Sequence, residues 1–305
     1  MSKRSIRILI FVAVPLLLGL LFWLKQQPHN PKYKGKSLTE WLDDLDVGPF
    51  GTPTIPRTVA EQRYDEARKA VHDIGEAAVP HLLHLLEQRD SKFKLALVKL
   101  ARKQNVIPIT FRDEQQRHWL AGEGFTAIGP KGKSAVPGLI RIIDDETRDG
   151  GAAAAALIFI GPDAKPAIPS LIRALQRKNA ACRIWGASSL AEVGRGDSTA
   201  LKALIPALDD SDPVVRYTVV RAILTIQGDP KTVVPALIKC IDDSDQNVRR
   251  EAAGWMESFG TNALIAVPRM RQLTNDTDPA MRALAERFFQ IVKFPGHTAD
   301  QHTYE

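Results

Sequence analysis

Apolar residues from about position 58 onward fall at offsets of three, four and seven, the spacing that places them on one face of an α-helix. The stripes recur on a longer grid. Arg183, Arg216, Arg249 and Arg282 are spaced 33 residues apart, and Gly150 and His118 stand 33 and 32 residues further back. Three residues after each comes a small or slim side chain (Ala121, Ala153, Gly186, Val219, Ala252, Ala285). Seven after comes a large apolar one (Phe125, Leu157, Leu190, Ile223, Met256, Phe289), and ten after another (Ile128, Ile160, Val193, Ile226, Phe259, Val292). A glycine then ends the helix (Gly129, Gly161, Gly194, Gly260), where a left-handed cap needs no Cβ; one copy has Gln227 there and Gly228 next.

A second helix is predicted in each unit. Pro137, Pro169, Pro235 and Pro268 mark its first turn, with Lys202 in that place once. Leu139-Ile140, Leu171-Ile172, Leu204-Ile205 and Leu237-Ile238 follow, then Ile143, Leu175, Leu208 and Ile241. The links read Asp-Asp-Ser-Asp at 209–212 and 242–245 and Asn-Asp-Thr-Asp at 275–278. An earlier copy begins at Tyr64, with Ala67, Val71, Ile74, Gly75, Pro80 and Leu82-Leu83, followed by 21 surplus residues before the grid resumes. The pattern predicts an all-α solenoid of antiparallel helix pairs over 58–293, with seven helices of the first kind and six of the second. The insertion near 91–114 holds an amphipathic stretch (FKLALVKLARK) that predicts a third helix there. Ser37 and Glu40 form a capping-box pattern, which makes 37–57 an amino-terminal capping segment. Residues 294–305 read as a disordered tail.

The amino terminus follows different rules. Ile8 to Leu24 are 17 residues without a charge, preceded by Lys3, Arg4 and Arg7 and followed by Lys25. As a helix this run is about 25 Å long, the short end of a membrane span. No small-x-small cleavage pattern follows, so the reading is one transmembrane signal anchor (8–24) after a short basic amino terminus (1–7), with a polar tether at 25–36. A short amino terminus before a long hydrophilic part favours translocation: a single-pass inner (cytoplasmic) membrane protein with a periplasmic repeat domain.

Charge changes the picture only once it is divided. The whole chain carries +6, with 41 Lys/Arg against 35 Asp/Glu. Seven of those cations and no acid lie in residues 1–36, so the remainder is close to neutral, at −1. The basic balance reports the anchor and gives no ground to expect nucleic acid. Two cysteines, Cys182 and Cys240, are too few for a metal cage and sit inside helical units.

The unit pattern, a-VP-x-LI-x-x-L-x-D-x-D-x-x-VR-x-x-A-x-x-L-x-x-IG, resembles HEAT repeats, in particular the short type named after phycobilisome lyases. Tyr33-Lys-Gly-Lys-Ser-Leu-Thr-Glu-Trp-Leu resembles the lead-in of membrane-anchored bacterial HEAT-repeat proteins. The resemblance implies a ladder between repeats made by the Asp four residues before each Arg: Asp212 with Arg216, Asp245 with Arg249, and Asp278 with Arg282. Second helices line the concave side of such a stack, and four residues past the Pro column stand His84, Arg141, Arg173 and Lys239, interrupted by Pro206 and Gln272: either a basic stripe that grips an acidic peptide or another anion, or a solvated helix face.

Candidate chemistry is sparse. His81 and His84 lie at i and i+3 with His72 one helix earlier, but a zinc site needs a further ligand and an oriented shell. The iron-binding HEAT-like enzyme deoxyhypusine hydroxylase uses His-Glu pairs, and the chain has no His-Glu dipeptide. Gly132-Lys133-Ser134 and Gly35-Lys36-Ser37 lack the first glycine of a phosphate loop. The expectation is a non-catalytic, membrane-anchored scaffold without cofactor or metal, binding a protein partner; a bilin lyase-like enzyme using the same repeat is the alternative.

Overall fold

The computed structural model describes residues 28–46, 56–91, 95–96 and 112–292. The expected span (8–24), most of the insertion and the tail lie outside these. A short hairpin comes first. β1 (Lys32–Tyr33) pairs antiparallel with β2 (Lys36–Ser37), and Lys34 and Gly35 turn it with φ of 49° and 83°, the positive values that a two-residue hairpin loop requires. Helix α1 (Leu38–Asp46) follows. At its start Ser37 N donates to Glu40 Oε2 at 2.7 Å, and Glu40 N donates to Ser37 Oγ at 3.4 Å.

The polar tether therefore needs correcting over its second half. Tyr33 Oη donates to Asp73 at 2.7 Å, Trp41 Nε1 donates to the Tyr33 carbonyl at 3.0 Å, and Asn30 bonds Thr39. The Lys36 ammonium lies 4.4 Å from the Trp41 ring centroid. Residues 30–36 have no apolar run, yet they are fixed by polar contacts onto α1 and the helix behind it.

Six helix pairs then stack. They are α2 (Arg57–Ile74) with α3 (Val79–Glu87), α4 (Glu114–Ile128) with α5 (Val136–Asp144), and α6 (Gly151–Ile160) with α7 (Ile168–Ala174). After them come α8 (Ala180–Val193) with α9 (Ser198–Leu204), α10 (Pro213–Thr225) with α11 (Pro230–Cys240), and α12 (Gln246–Trp255) with α13 (Val267–Leu273). Helix α14 (Pro279–Ile291) ends the described chain. Each first helix packs on the next first helix, and each second helix packs mainly on the first helix of the repeat that follows. The result is two layers around one continuous core running from Leu38 to Val292.

The columns explain that core. Ala153, Val219 and Ala252 at the first offset, and Phe125, Leu157, Leu190 and Ile223 at the second, are completely buried. A small residue at the first lets neighbouring first helices approach while the large one fills the space between layers. In the second helices the Leu of each Leu-Ile is buried and the Ile is half-buried.

Two details of the punctuation differ from expectation. Gly75, Gly129, Gly161 and Gly260 end their helices with φ between 52° and 75° and ψ between −128° and −138°, a region open to glycine and strained for other residues. Gly194 does not: its φ is −96°, and the positive values fall on Gly196 and on Gln227. Pro235 lies inside α11 rather than in its first turn. The reason is local. In these two units Asp197 and Asp229 accept backbone N–H bonds and start the second helix about a turn earlier, replacing the 3-10 segments Gly129–Ala135 and Gly161–Ala167 used elsewhere.

Among the described residues, the helical run Gly151–Ala174 is long and apolar enough to cross a membrane. It is broken at Gly161 and packed within the stack, α6 between α4 and α8, so its hydropathy belongs to the core.

Candidate functional site

The Asp-rich links hold the repeats in register, but not by the expected pairs. Asp212, Asp245 and Asp278 are helix N-caps whose carboxylates accept from Val214 N, Asn247 N and Ala280 N. An aspartate there satisfies donors that the helix leaves unpaired. The cross-repeat rung uses the acid two residues earlier. Arg183 forks onto Asp210 at 2.7 and 2.9 Å, and Arg216 onto Asp243 at 2.7 Å through both Nε and Nη2. Arg216 Nη1 meanwhile donates to the Asp210 carbonyl of its own link at 2.8 Å, and Arg249 and Arg282 repeat that bond to Asp243 and Asp276.

Asp210 and Asp243 also accept the N–H of Asp212 and Asp245. One carboxylate thus joins the preceding repeat's arginine to its own helix start. The two rungs are nearly buried, with side-chain exposures of 12% and 11%, and 13% and 10%. The hydrogen bonds from Arg216 hold the Asp243 carboxyl below the usual carboxylate range. In the last link the rung shifts, the arginine by one residue and the acid by two: Arg250 forks onto Asp278, which is also the N-cap of α14.

The basic stripe also changes character. Arg173 on α7 forks onto Asp144 at the end of α5, with Nη2 2.8 Å from Oδ2, and also donates to Ser170. Lys239 on α11 stands 3.5 Å from Asp209, and Arg269 on α13 pairs with Asp242. Each of these three cations meets an acid at or just past the end of the preceding second helix. His84 on α3 is half-buried and desolvation lowers its pKa, so the imidazole is neutral near pH 7. Arg141 is the member of the stripe that is exposed without an ion-pair partner among the described residues. The expectation of a positive stripe is therefore corrected to a row of crosswise ion pairs. Its acids Asp144, Asp209 and Asp242 stand seven residues past the Pro column, a spacing visible in the sequence but missed because cations alone were followed.

One break in this row opens the surface. Where the column would place a cation, α9 and the 3-10 segment after it carry Pro206. A groove of about 280 Å³ opens there, floored by Ile172, Leu175, Ala203, Pro206 and Ala207 and edged by Gln176, Asp209 and Asp210. Asp210 is engaged by Arg183, Asp209 faces Lys239 at 3.5 Å in a solvent-exposed pair, and the Gln176 amide is the other polar group at the edge.

The remaining candidates have structural partners. His72 Nδ1 bonds the Ala127 carbonyl at 3.0 Å, and His81 contacts Thr39 at 3.4 Å. Cys182 and Cys240 are free and buried, and burial pushes the Cys240 thiol up to about 11. Gly132 sits in a 3-10 turn, tightly packed against Ile128. A further clamp was not foreseen: buried Arg117 bonds Asp90 at 2.9 Å and the Arg112 and Gln88 carbonyls, tying together the two ends of the insertion.

No curated protein matches the chain. Among solved structures, an engineered protein is 22% identical over 70% of this chain and 96% of its own, with a TM-score of 0.45. The complex of CpcE and CpcF of phycocyanin lyase from Nostoc sp. is 19% identical over 86% of this chain and 97% of its own, with a TM-score of 0.37. Human deoxyhypusine hydroxylase in complex with glycerol is 14% identical over 84% and 97%, with a TM-score of 0.35. The HEAT-repeat profile matches residues 136–224 and 201–288, together half of the chain and the stretch in which the 33-residue columns are most regular. The chain belongs to the HEAT-repeat family.

Proposed function

We propose that the protein is a non-catalytic scaffold, held at a membrane by residues 8–24, that binds a protein partner on its second-helix face. The observation that carries the reading is the groove at Pro206. It is apolar, about 280 Å³, and offers the Gln176 amide and the Asp209 carboxylate, whose pair with Lys239 is solvent-exposed and open to exchange. Such a surface suits an apolar side chain of a partner with a polar neighbour reaching Asp209. The charged groups around it are engaged in holding repeats together, which supports contact rather than bond-making chemistry. An orientation with the repeats on the periplasmic side of the inner membrane completes the proposal.

Affinity capture with the full-length protein in lipid nanodiscs, compared with Ala207→Arg, tests the interaction. Loss of a specific partner in the variant, with unchanged circular dichroism, supports the reading; retention of every partner counts against the groove. Covalent bilin transfer by the purified protein would overturn the non-catalytic assignment. A carboxyl-terminal reporter active only in the cytoplasm would overturn the orientation.

A further inference from the structure

The large apolar side chains that remain exposed are unevenly divided. Outside the insertion they are Val59, Trp119, Phe159, Trp185, Val214, Trp255 and Ile291 on first helices, and Leu264 and Ile265 in the turn that follows one. Among the described residues none lies on a second helix. Three of the nine are tryptophans, the residue type most enriched at the energetic centres of protein interfaces.

Two of these tryptophans flank an unusual helix. Helix α6 reads GAAAAALIFI and has no polar side chain on any face. A helix apolar all round belongs in a core, yet Ala152, Ala155 and Ile158 are half-exposed and Phe159 is 39% exposed. On one side α4 carries Trp119 at the position that Gly151 occupies in α6. On the other, Trp185 of α8 lies so close that a Cβ at Gly151 would come within 3.2 Å of its ring. The small side chains of α6 form a floor and the two indoles stand beside it, 44% and 43% exposed.

The ends of this trough are charged in opposite senses. Glu146 and Asp149 are exposed just before the amino terminus of α6. At its carboxyl end Lys133 and Lys165 are exposed in the 3-10 turns Gly129–Ala135 and Gly161–Ala167 and, with Lys131, outnumber the exposed Asp163 there, so that end is net positive. A partner helix laid antiparallel to α6 puts its carboxyl end over the acids and its amino end over the lysines. Helices favour basic residues at the first of these ends and acidic residues at the second, so the charges agree with the partner's own dipole. The ten residues of α6 span about 15 Å, which accommodates about three turns.

We propose that the outer face of α6, between Trp119 and Trp185, is a second docking surface, distinct from the Pro206 groove, and that it receives an amphipathic helix of a partner protein, antiparallel to α6, acidic at its amino end and basic at its carboxyl end. The alanine floor lets the partner's large side chains approach the α6 backbone, and the indoles close over their flanks.

The test uses two synthetic helical peptides with the same Leu/Ala face, one with acidic amino and basic carboxyl ends and one with the charges exchanged. Binding of each to the full-length protein in nanodiscs is followed by fluorescence anisotropy. The first peptide is expected to bind about tenfold or more tightly than the second. Ala155→Arg, at a half-exposed position, is expected to abolish the preference with the melting temperature unchanged, and Trp185→Ala to weaken the first peptide about tenfold. Equal binding of the two peptides, or no effect of either variant, overturns the proposal. Quenching of tryptophan by spin-labelled lipid that Ala155→Arg abolishes would make the face a lipid contact and also overturn it. So would a dimer that the same variant converts to monomer without peptide competition. Ala207→Arg is expected to leave peptide binding unchanged, so this surface and the Pro206 groove stand or fall separately.

Discussion

The rung between Arg216 and Asp243 can be tested against the pair four residues apart, Asp212 and Arg216. Arg216→Met keeps the aliphatic stem and removes the fork, while Asp243→Asn keeps the shape and removes the charge. Both side chains are about nine-tenths buried and joined by two 2.7 Å bonds. Removing one member of a fully buried pair costs about 3–5 kcal/mol, and an exposed pair is worth about 0.2–1 kcal/mol. Burial of this degree puts each single variant near about 3 kcal/mol. Denaturation of wild type, both singles and the double, followed by circular dichroism, gives the coupling, expected near about 2 kcal/mol. Asp212→Ala removes an N-cap, worth about 1 kcal/mol, and is expected to add to Arg216→Met without coupling. A coupling below about 0.5 kcal/mol for Arg216–Asp243, or an equal one for Arg216–Asp212, would refute the assignment. The pH dependence follows. The Asp243 pKa is depressed in the folded protein, so its contribution is present above the ordinary carboxylate value of about 4 and is lost as pH falls through the lower folded value. Asp243→Asn should flatten the fall in stability over that acid window.

Three further outcomes are expected. Leu157→Ala, at a completely buried column position, should cost about 3 kcal/mol in the same assay, whereas a loss under about 1 kcal/mol would contradict its core placement. Gln227→Gly should raise the melting temperature, because Gln227 holds φ at 56°, a conformation costing a non-glycine residue about 1–2 kcal/mol; a lower melting temperature would show that the strain is absent. Cys182 and Cys240 should resist alkylation at mildly alkaline pH until the chain is denatured, since burial raises both thiols; rapid labelling of the native protein would show that one is accessible.

Spacing made the layers legible. Columns of one residue type at 33-residue intervals identify which side chains share a core, and Leu157, Leu190 and Ile223 are buried as that argument requires. Pairing across repeats was less legible, because each link offers several acids within reach of an arginine. Asp212 was the nearest in sequence to Arg216, while the folded link turns it to cap α10 and leaves Asp243 of the next repeat facing the guanidinium. The stripe on the second helices failed similarly: the cations were visible in one column, but Asp144, Asp209 and Asp242 stand in another that only the packing of neighbouring helices brings alongside. The hairpin at Lys32–Ser37 escaped because its polar side chains conceal a turn encoded by Lys34-Gly35. Trp119 and Trp185 left no signal, since an outward position breaks no periodicity.

That hairpin limits how far the solenoid can stray. On the proposed anchoring of residues 8–24, residues 25–29 separate the span from Asn30, the first residue bonded to α1. Fully extended, such a stretch reaches at most about 21 Å. Asn30 and Tyr33 pin the chain that follows to α1 and α2, so the first helix pair stays beside the lipid headgroups. On the proposed anchoring, the later repeats follow that first pair along the stack, and a partner is met at a distance from the anchor set by the repeat it binds.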